Sequence, residues 1–175
     1  MRIVTYDLEK NENDMPMLVK ESSQNCPSIS NSITDPGEAV AVLNQALQLD
    51  RKMEEHFCLI AMRSKKVIGI FKVNVGTLNN SLVNTAGIFT RLLLCGATHF
   101  IIAHNHPSGN VSPSPEDEKV TENIQKISEM MGIVFYDHII IGSGYFFFLS
   151  KICCDFTEYF QAGVIPAFFV QKNLL

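Results

Sequence analysis

Residues 98–141 constrain the fold more than any other stretch. "THFIIAH" (98–104) is β-branched and aromatic, the composition of a buried strand, and it runs directly into His104-Asn105-His106-Pro107-Ser108-Gly109. Pro107 stops strand pairing because it has no N–H to give a ladder, and Ser108-Gly109 permits a sharp turn. The clearest helix of the chain follows. Ser114 suits its N-cap and Pro115 its first turn, and Val120, Ile124, Ile127 and Met131 recur at near-helical spacing before a stop at Gly132. "IVFYDHIII" (133–141) reads as another strand, "GSG" as a tight turn and "YFFFLS" (145–150) as the hairpin partner.

Upstream, Asp35 and Pro36 suit an N-cap and first helical position, and Ala39, Val42, Leu43, Ala46 and Leu47 form one apolar face running to about Arg51. "FCLIAM" (57–62) and "VIGIFKV" (67–73), joined by "RSKK", predict a β-hairpin. "TAGIFTRLLLC" (85–95) predicts a helix ended by Gly96. The order helix, two strands, helix, strand, helix, two strands implies an α/β (α+β) protein, a mixed β-sheet flanked by helices in one layer or two. One domain is expected over 36–150. Residues 1–35, with the polar, turn-rich "ESSQNCPSISNSITDPG", read as an N-terminal arm or linker. Residues 151–175 read as an apolar C-terminal extension, packed on the domain or forming an interface, including one between copies of the chain.

The charge balance narrows the partners. A net charge of −4 is the wrong sign for a domain that binds by neutralising nucleic-acid phosphates. The five cysteines, Cys26, Cys58, Cys95, Cys153 and Cys154, are odd in number and contain no C-x-x-C pair, which argues against a disulfide framework or a thiolate zinc site. Cys58 and Cys95 sit in apolar runs as small core residues, and Cys153-Cys154 read as two plain thiols. A reduced, cytoplasmic compartment is the expectation. The first residues lack an apolar stretch of signal-peptide length, and the most apolar segment, 139–149, is broken by "GSG" well short of a membrane span, so no membrane partner is expected.

His104 and His106 carry the chemistry. Side chains at i and i+2 of an extended chain point the same way, so the two imidazoles can aim at one cation with bonds of about 2.0–2.1 Å. A third ligand is needed, and Glu116, Asp117 and Glu118 are the nearest candidates once the loop folds the helix start back over the histidines. A plainer origin exists for the acids, since an acidic N3 residue after Ser114 completes a helix cap. The letters "HNH" do not make the nuclease of that name, whose three residues are dispersed over a long ββα element. A metallo-β-lactamase His-x-His-x-Asp-His pattern fails at Ser108 and Gly109, and no Gly-Lys-Ser/Thr follows for a phosphate loop.

"HNHPSGNVSPSPED" is similar to the His-x-His-Pro-x6-Ser-x2-Asp signature of JAMM metalloproteases, the JAB/MPN domain. The wording "HNHPSG", with "GTLNNSLV" upstream and "DHIIIG" downstream, resembles the RadC branch, over about residues 30–150. The resemblance implies the JAB/MPN, cytidine-deaminase-like architecture and one zinc ion held by His104, His106 and Asp117 with an open fourth position. It implies that Ser114 orients water or stabilises an oxyanion, and that an upstream glutamate is the general base. Glu55, in "EHF", matches that glutamate best, with Glu54 as the fallback. Hydrolysis of a peptide or isopeptide bond is the implied reaction. A non-catalytic interaction module and a DNA-repair-associated factor are the alternatives. Asp137 and His138 fall within the resembling "YDHII", where His138 reads as a partner orienting a ligand or as a sheet residue; His56 and His99 read as structural. The chain departs from the RadC branch at 84–87, where Asn84-Thr85-Ala86-Gly87 replace the usual His-Pro-Arg-Glu, a change that touches substrate contacts or helix anchoring and leaves the metal ligands intact. A helix-hairpin-helix DNA-binding module, carried by many longer relatives, has no signature here.

Overall fold

In β3 (His56–Arg63), Phe57, Leu59 and Ala61 alternate with Cys58, Ile60 and Met62, and all six are buried. A strand apolar on both faces must be covered on both. The structure, a computed structural model, describes residues 1–27, 29–30, 32–76, 84–149 and 165–166. Cys58, Ile60 and Met62 join Val42 and Leu43 of α1 (Pro36–Leu47) in one core; Phe57, Leu59 and Ala61 join Ile88, Leu92 and Ile124 of α2 (Thr85–Cys95) and α3 (Pro115–Met131) in the other. Helices therefore lie in two layers around one sheet.

The described strands form a single mixed sheet in the order β2-β1-β4-β3-β5-β6-β7-β8. The remaining strands are β1 (Arg2–Lys10), β2 (Pro16–Asn25), β4 (Lys66–Val75), β5 (His99–Asn105), β6 (Val134–Ile141), β7 (Tyr145–Phe148) and β8 (Ile165–Pro166). β5 pairs antiparallel with β3 and parallel with β6, and α3 is the crossover between the two parallel strands. The strand with the two histidines is thus central, and its carboxyl end opens at the change from antiparallel to parallel pairing.

The α/β layering and mixed sheet match the sequence reading, and the N-terminal segment differs. In place of an arm or linker, residues 2–25 form the β1–β2 hairpin, and β1 lies parallel on β4 through Thr5–Ile70 and Tyr6–Phe71. Little apolar signal marks this hairpin, because β2 is an edge strand without one buried residue and β1 buries just Ile3 and Thr5. α1 also ends earlier than the apolar face suggests: Gln48 takes a left-handed conformation (φ 54°) and one 3-10 turn follows over Leu49–Arg51. α2 is anchored by Asn84, whose side chain accepts from the Gly87 N–H at 2.9 Å. Among the described residues Cys26, Cys58 and Cys95 are free thiols. Cys153, Cys154 and the C-terminal extension lie outside the described residues apart from Ile165–Pro166, which pair with β7.

Candidate metal centre

Period-two alternation puts His104 on the face of Phe100 and Ile102, toward α2 and α3. His106 keeps the same side because its N–H continues the ladder, donating to the Ile141 carbonyl at 2.8 Å. The two Nε2 atoms come within 2.9 Å of each other. The chain then turns, with the Gly109 N–H donating to the His106 carbonyl at 2.9 Å. Gly142 in the β6–β7 turn lets this loop settle, since a Cβ there would strike the Gly109 carbonyl and Val111.

The start of α3 delivers the carboxylate through a capping box. Ser114 donates to Asp117 Oδ2 from its backbone N–H at 2.7 Å and from its hydroxyl at 2.6 Å. The cap occupies one oxygen and turns the other inward. Asp117 Oδ1 is buried without a hydrogen-bond partner, 3.2 Å from His104 Nε2.

Glu55 arrives from the segment before β3, where Phe57 pairs with His104. Asn105, between the two histidines, faces the other way and is buried. Its Oδ1 accepts from the His56 N–H at 2.8 Å, and its Nδ2 donates to the Lys52 and Glu54 carbonyls at 3.3 and 3.0 Å. These bonds grip the backbone on both sides of Glu55. Glu55 Oε1 stands 3.8 Å from His104 Nε2.

The charges follow from burial and contact. Burial lowers His104 to about 4, so its ring is neutral near pH 7. Hydrogen bonding to Asp117 raises His106 above the ordinary histidine value. Burial works against the Asp117 anion, but His106, His104 and Ser114 outweigh it and hold the carboxyl well below the usual carboxylate range.

Glu55, His104, His106 and Asp117 bring their donor atoms within 4.8 Å of one another. This donor set fits a cation. Two imidazole nitrogens and an orphaned carboxylate oxygen share one buried point, and an uncompensated buried acceptor is costly. The His104–His106 separation of 2.9 Å and the His104–Asp117 Oδ1 separation of 3.2 Å lie close to the edge, about 3.3 Å, of a tetrahedron with zinc-length bonds; His106 Nε2 lies 3.6 Å from the capped oxygen, Oδ2.

The other sequence candidates stand apart. Glu54, Glu116 and Glu118 are exposed and outside the cluster. The Ser114 hydroxyl hydrogen is committed to Asp117 Oδ2, so in this arrangement it is not offered to another acceptor. Asp137 lies beside the opposite core, near Pro36 and Ile101, and its Oδ1 accepts from the His138 N–H. His138 stands behind His104, with Nε2 2.9 Å from His104 Nδ1. His56 serves through its backbone, and His99 meets Thr98, Ser64 and Tyr136 at the far end of β5. Sequence reasoning passed over Asn105 and Thr121. Asn105 carried a signal as a polar residue on an otherwise apolar strand, and Thr121 as the residue one turn after Asp117.

The fold and the centre together define a class: α/β proteins with a cluster that could hold a cation between the end of a central strand and the start of the next helix. Residues 33–152 match the RadC-like JAB domain, and the chain belongs to that family. It is 36% identical to a UPF0758 protein of Gloeothece citriformis over 147 residues, 83% of this chain and 60% of the relative. A UPF0758 protein of Clostridium kluyveri is 38% identical over 120 residues, 68% of this chain and 52% of the relative. One from Rubrobacter xylanophilus is 38% identical over 116 residues, 65% of this chain and 50% of the relative. The chain therefore spans 50–60% of the length of these curated relatives. No helix among the described residues is long and apolar enough to cross a membrane.

Proposed function

We propose that this chain is a zinc-dependent metallohydrolase that cleaves a peptide or isopeptide bond. The observation that carries the reading is the convergence of His104 Nε2, His106 Nε2 and the Asp117 carboxylate, whose Oδ1 is buried and partnerless, with Glu55 beside them. His104, His106 and Asp117 would hold the ion, which supplies Lewis acidity and lowers the pKa of bound water to about 7. Glu55 then acts as general base, taking the proton of the attacking water and returning it to the leaving amine. Its half-buried side chain and the Asn105 grip on its backbone suit that task. Asp117 stays ionised throughout, as the hydrogen bonds to its carboxylate demand. Ser114 is the second catalytic candidate: released from Asp117, its hydroxyl can donate to the oxyanion that forms at the carbonyl. Protein or peptide chains are the proposed substrates; a net charge of −4 makes nucleic acid the weaker partner.

Metal analysis of the purified full chain should find about one zinc per molecule, as three protein ligands and an open position require. His104→Ala and Asp117→Ala should lose it. Glu55→Gln should keep the metal and abolish cleavage of a mixed peptide library read by mass spectrometry. Wild type without zinc after reconstitution would sink the reading. Zinc without Glu55-dependent cleavage would leave a non-catalytic, metal-holding interaction module.

A further inference from the structure

Both ligand histidines point Nε2 at the same place, and each must keep that nitrogen free of hydrogen to bind a cation. For His106 the main chain settles it. Its Nδ1 lies 2.6 Å from the Asn110 carbonyl oxygen, which can accept but not donate, so Nδ1 carries the hydrogen and the neutral ring leaves Nε2 bare.

His104 has no such carbonyl. Its Nδ1 faces another imidazole nitrogen, His138 Nε2, and two imidazoles can share one hydrogen in either sense. The direction is decided one residue further on. His138 Nδ1 lies 2.7 Å from Thr121 Oγ1. The Thr121 hydroxyl donates to the Asp117 carbonyl oxygen, also at 2.7 Å, one helical turn back. Threonine has one hydroxyl hydrogen, and the carbonyl takes it, so Thr121 meets His138 as an acceptor. His138 therefore carries its hydrogen on Nδ1, accepts at Nε2, and receives the Nδ1 hydrogen of His104.

We propose that Thr121 and His138 are positioning residues for the cation, selecting the Nδ1–H tautomer of His104 so that its Nε2 is presented bare to the metal. The relay starts on the backbone of one ligand, Asp117, and ends on the ring of another, His104. It ties α3 to β5 through β6. The opposite sense would put a hydrogen on His104 Nε2, in the space a cation needs. Both rings are fully buried, so bulk water does not compete for their nitrogens. Phe57 packs beside both rings, its centroid 6.1 Å from that of His104 with ring planes 8° apart and 5.7 Å from that of His138. A partner on the far nitrogen of a ligating histidine fixes its tautomer and raises its basicity. Here that partner is neutral and is itself oriented by a hydroxyl.

The inference rests on the metal-binding reading, and its test separates the two. Zinc affinity of the full chain is measured by chelator competition for wild type, Thr121→Val and Thr121→Ser, with cobalt(II) absorption reporting ligand geometry. Valine keeps the β-branched shape and removes the acceptor; affinity should fall roughly 10–100-fold, with circular dichroism unchanged and the urea midpoint lowered by the unpaired His138 Nδ1. Serine keeps the hydroxyl and should bind like wild type. Nitrogen-15 spectra of the metal-free wild type should show His104 and His138 both protonated on Nδ1. Equal zinc affinity in wild type and Thr121→Val overturns the relay while the metal centre stands. So does an Nε2–H His104 in the metal-free wild type. Wild type that takes up neither zinc nor cobalt overturns the centre and the relay with it.

Discussion

Asp117 divides its carboxylate between two duties: Oδ2 closes the helix cap with Ser114, and Oδ1 faces His104. The same carboxylate sets the proton balance of the centre. Hydrogen bonding to Asp117 raises His106 above 6.5, burial lowers His104 to about 4, and Asp117 itself is held ionised. Near pH 6.5 the metal-free site thus holds its extra proton on His106, and an incoming cation must displace it. Uptake there should release more than half a proton and up to one per ion, and affinity should weaken about tenfold per unit as pH falls below the raised His106 value. Titration calorimetry in buffers of differing ionisation heat counts that proton; two released near pH 6.5 would show that His104 also carries one. At this scale the pair His104 and His106 is legible in its i, i+2 spacing, and Asp117 stands out from Glu116 and Glu118 through the resemblance to the His-x-His-Pro-x6-Ser-x2-Asp signature. Asn105 and Thr121 are not, because their roles come from partners 49–53 and 17 residues away.

The elements that present the centre depend on one close approach. The loop after His106 passes so near Gly142 that any side chain there meets the Gly109 carbonyl and Val111. Gly142→Ala should push the loop away, cost about 1–3 kcal/mol as overpacking does, and weaken metal binding through the moved His106. A urea midpoint and zinc affinity both equal to wild type would contradict this. Elements with a strong apolar period are readable from sequence: the β3–β4 hairpin, α2, β5, α3 and β6 all stand where composition and caps place them. β1 and β2 hide because an edge hairpin is held by backbone pairing and needs little apolar surface. α1 stops short of its apolar face because Gln48 turns left-handed, and a periodic count does not register a single φ.

Across the whole molecule, the N-terminal hairpin guards the flank of the central strands. Deleting residues 2–25 would bare the β4 edge beside Ile70 and Phe71, both fully buried in the intact chain. The expected result is a lower urea midpoint and concentration-dependent association, since a long bare edge recruits other strands. The folded fraction should still take up zinc, because β4 lies between the hairpin and the β3–β5 pair that bears the centre. Loss of zinc from correctly folded protein would contradict that insulation. The shared carboxylate of Asp117 has a further effect on the life of the molecule. The cap on α3 closes through Oδ2 and asks nothing of Oδ1, so removing a bound ion with a chelator should leave the scaffold standing. On the proposed reading, that would separate this chain from small zinc modules that collapse when stripped. Such a centre would be open to reloading, each time in competition among the divalent ions at hand. The supply of cations, as much as the protein, would then govern how much of it is armed.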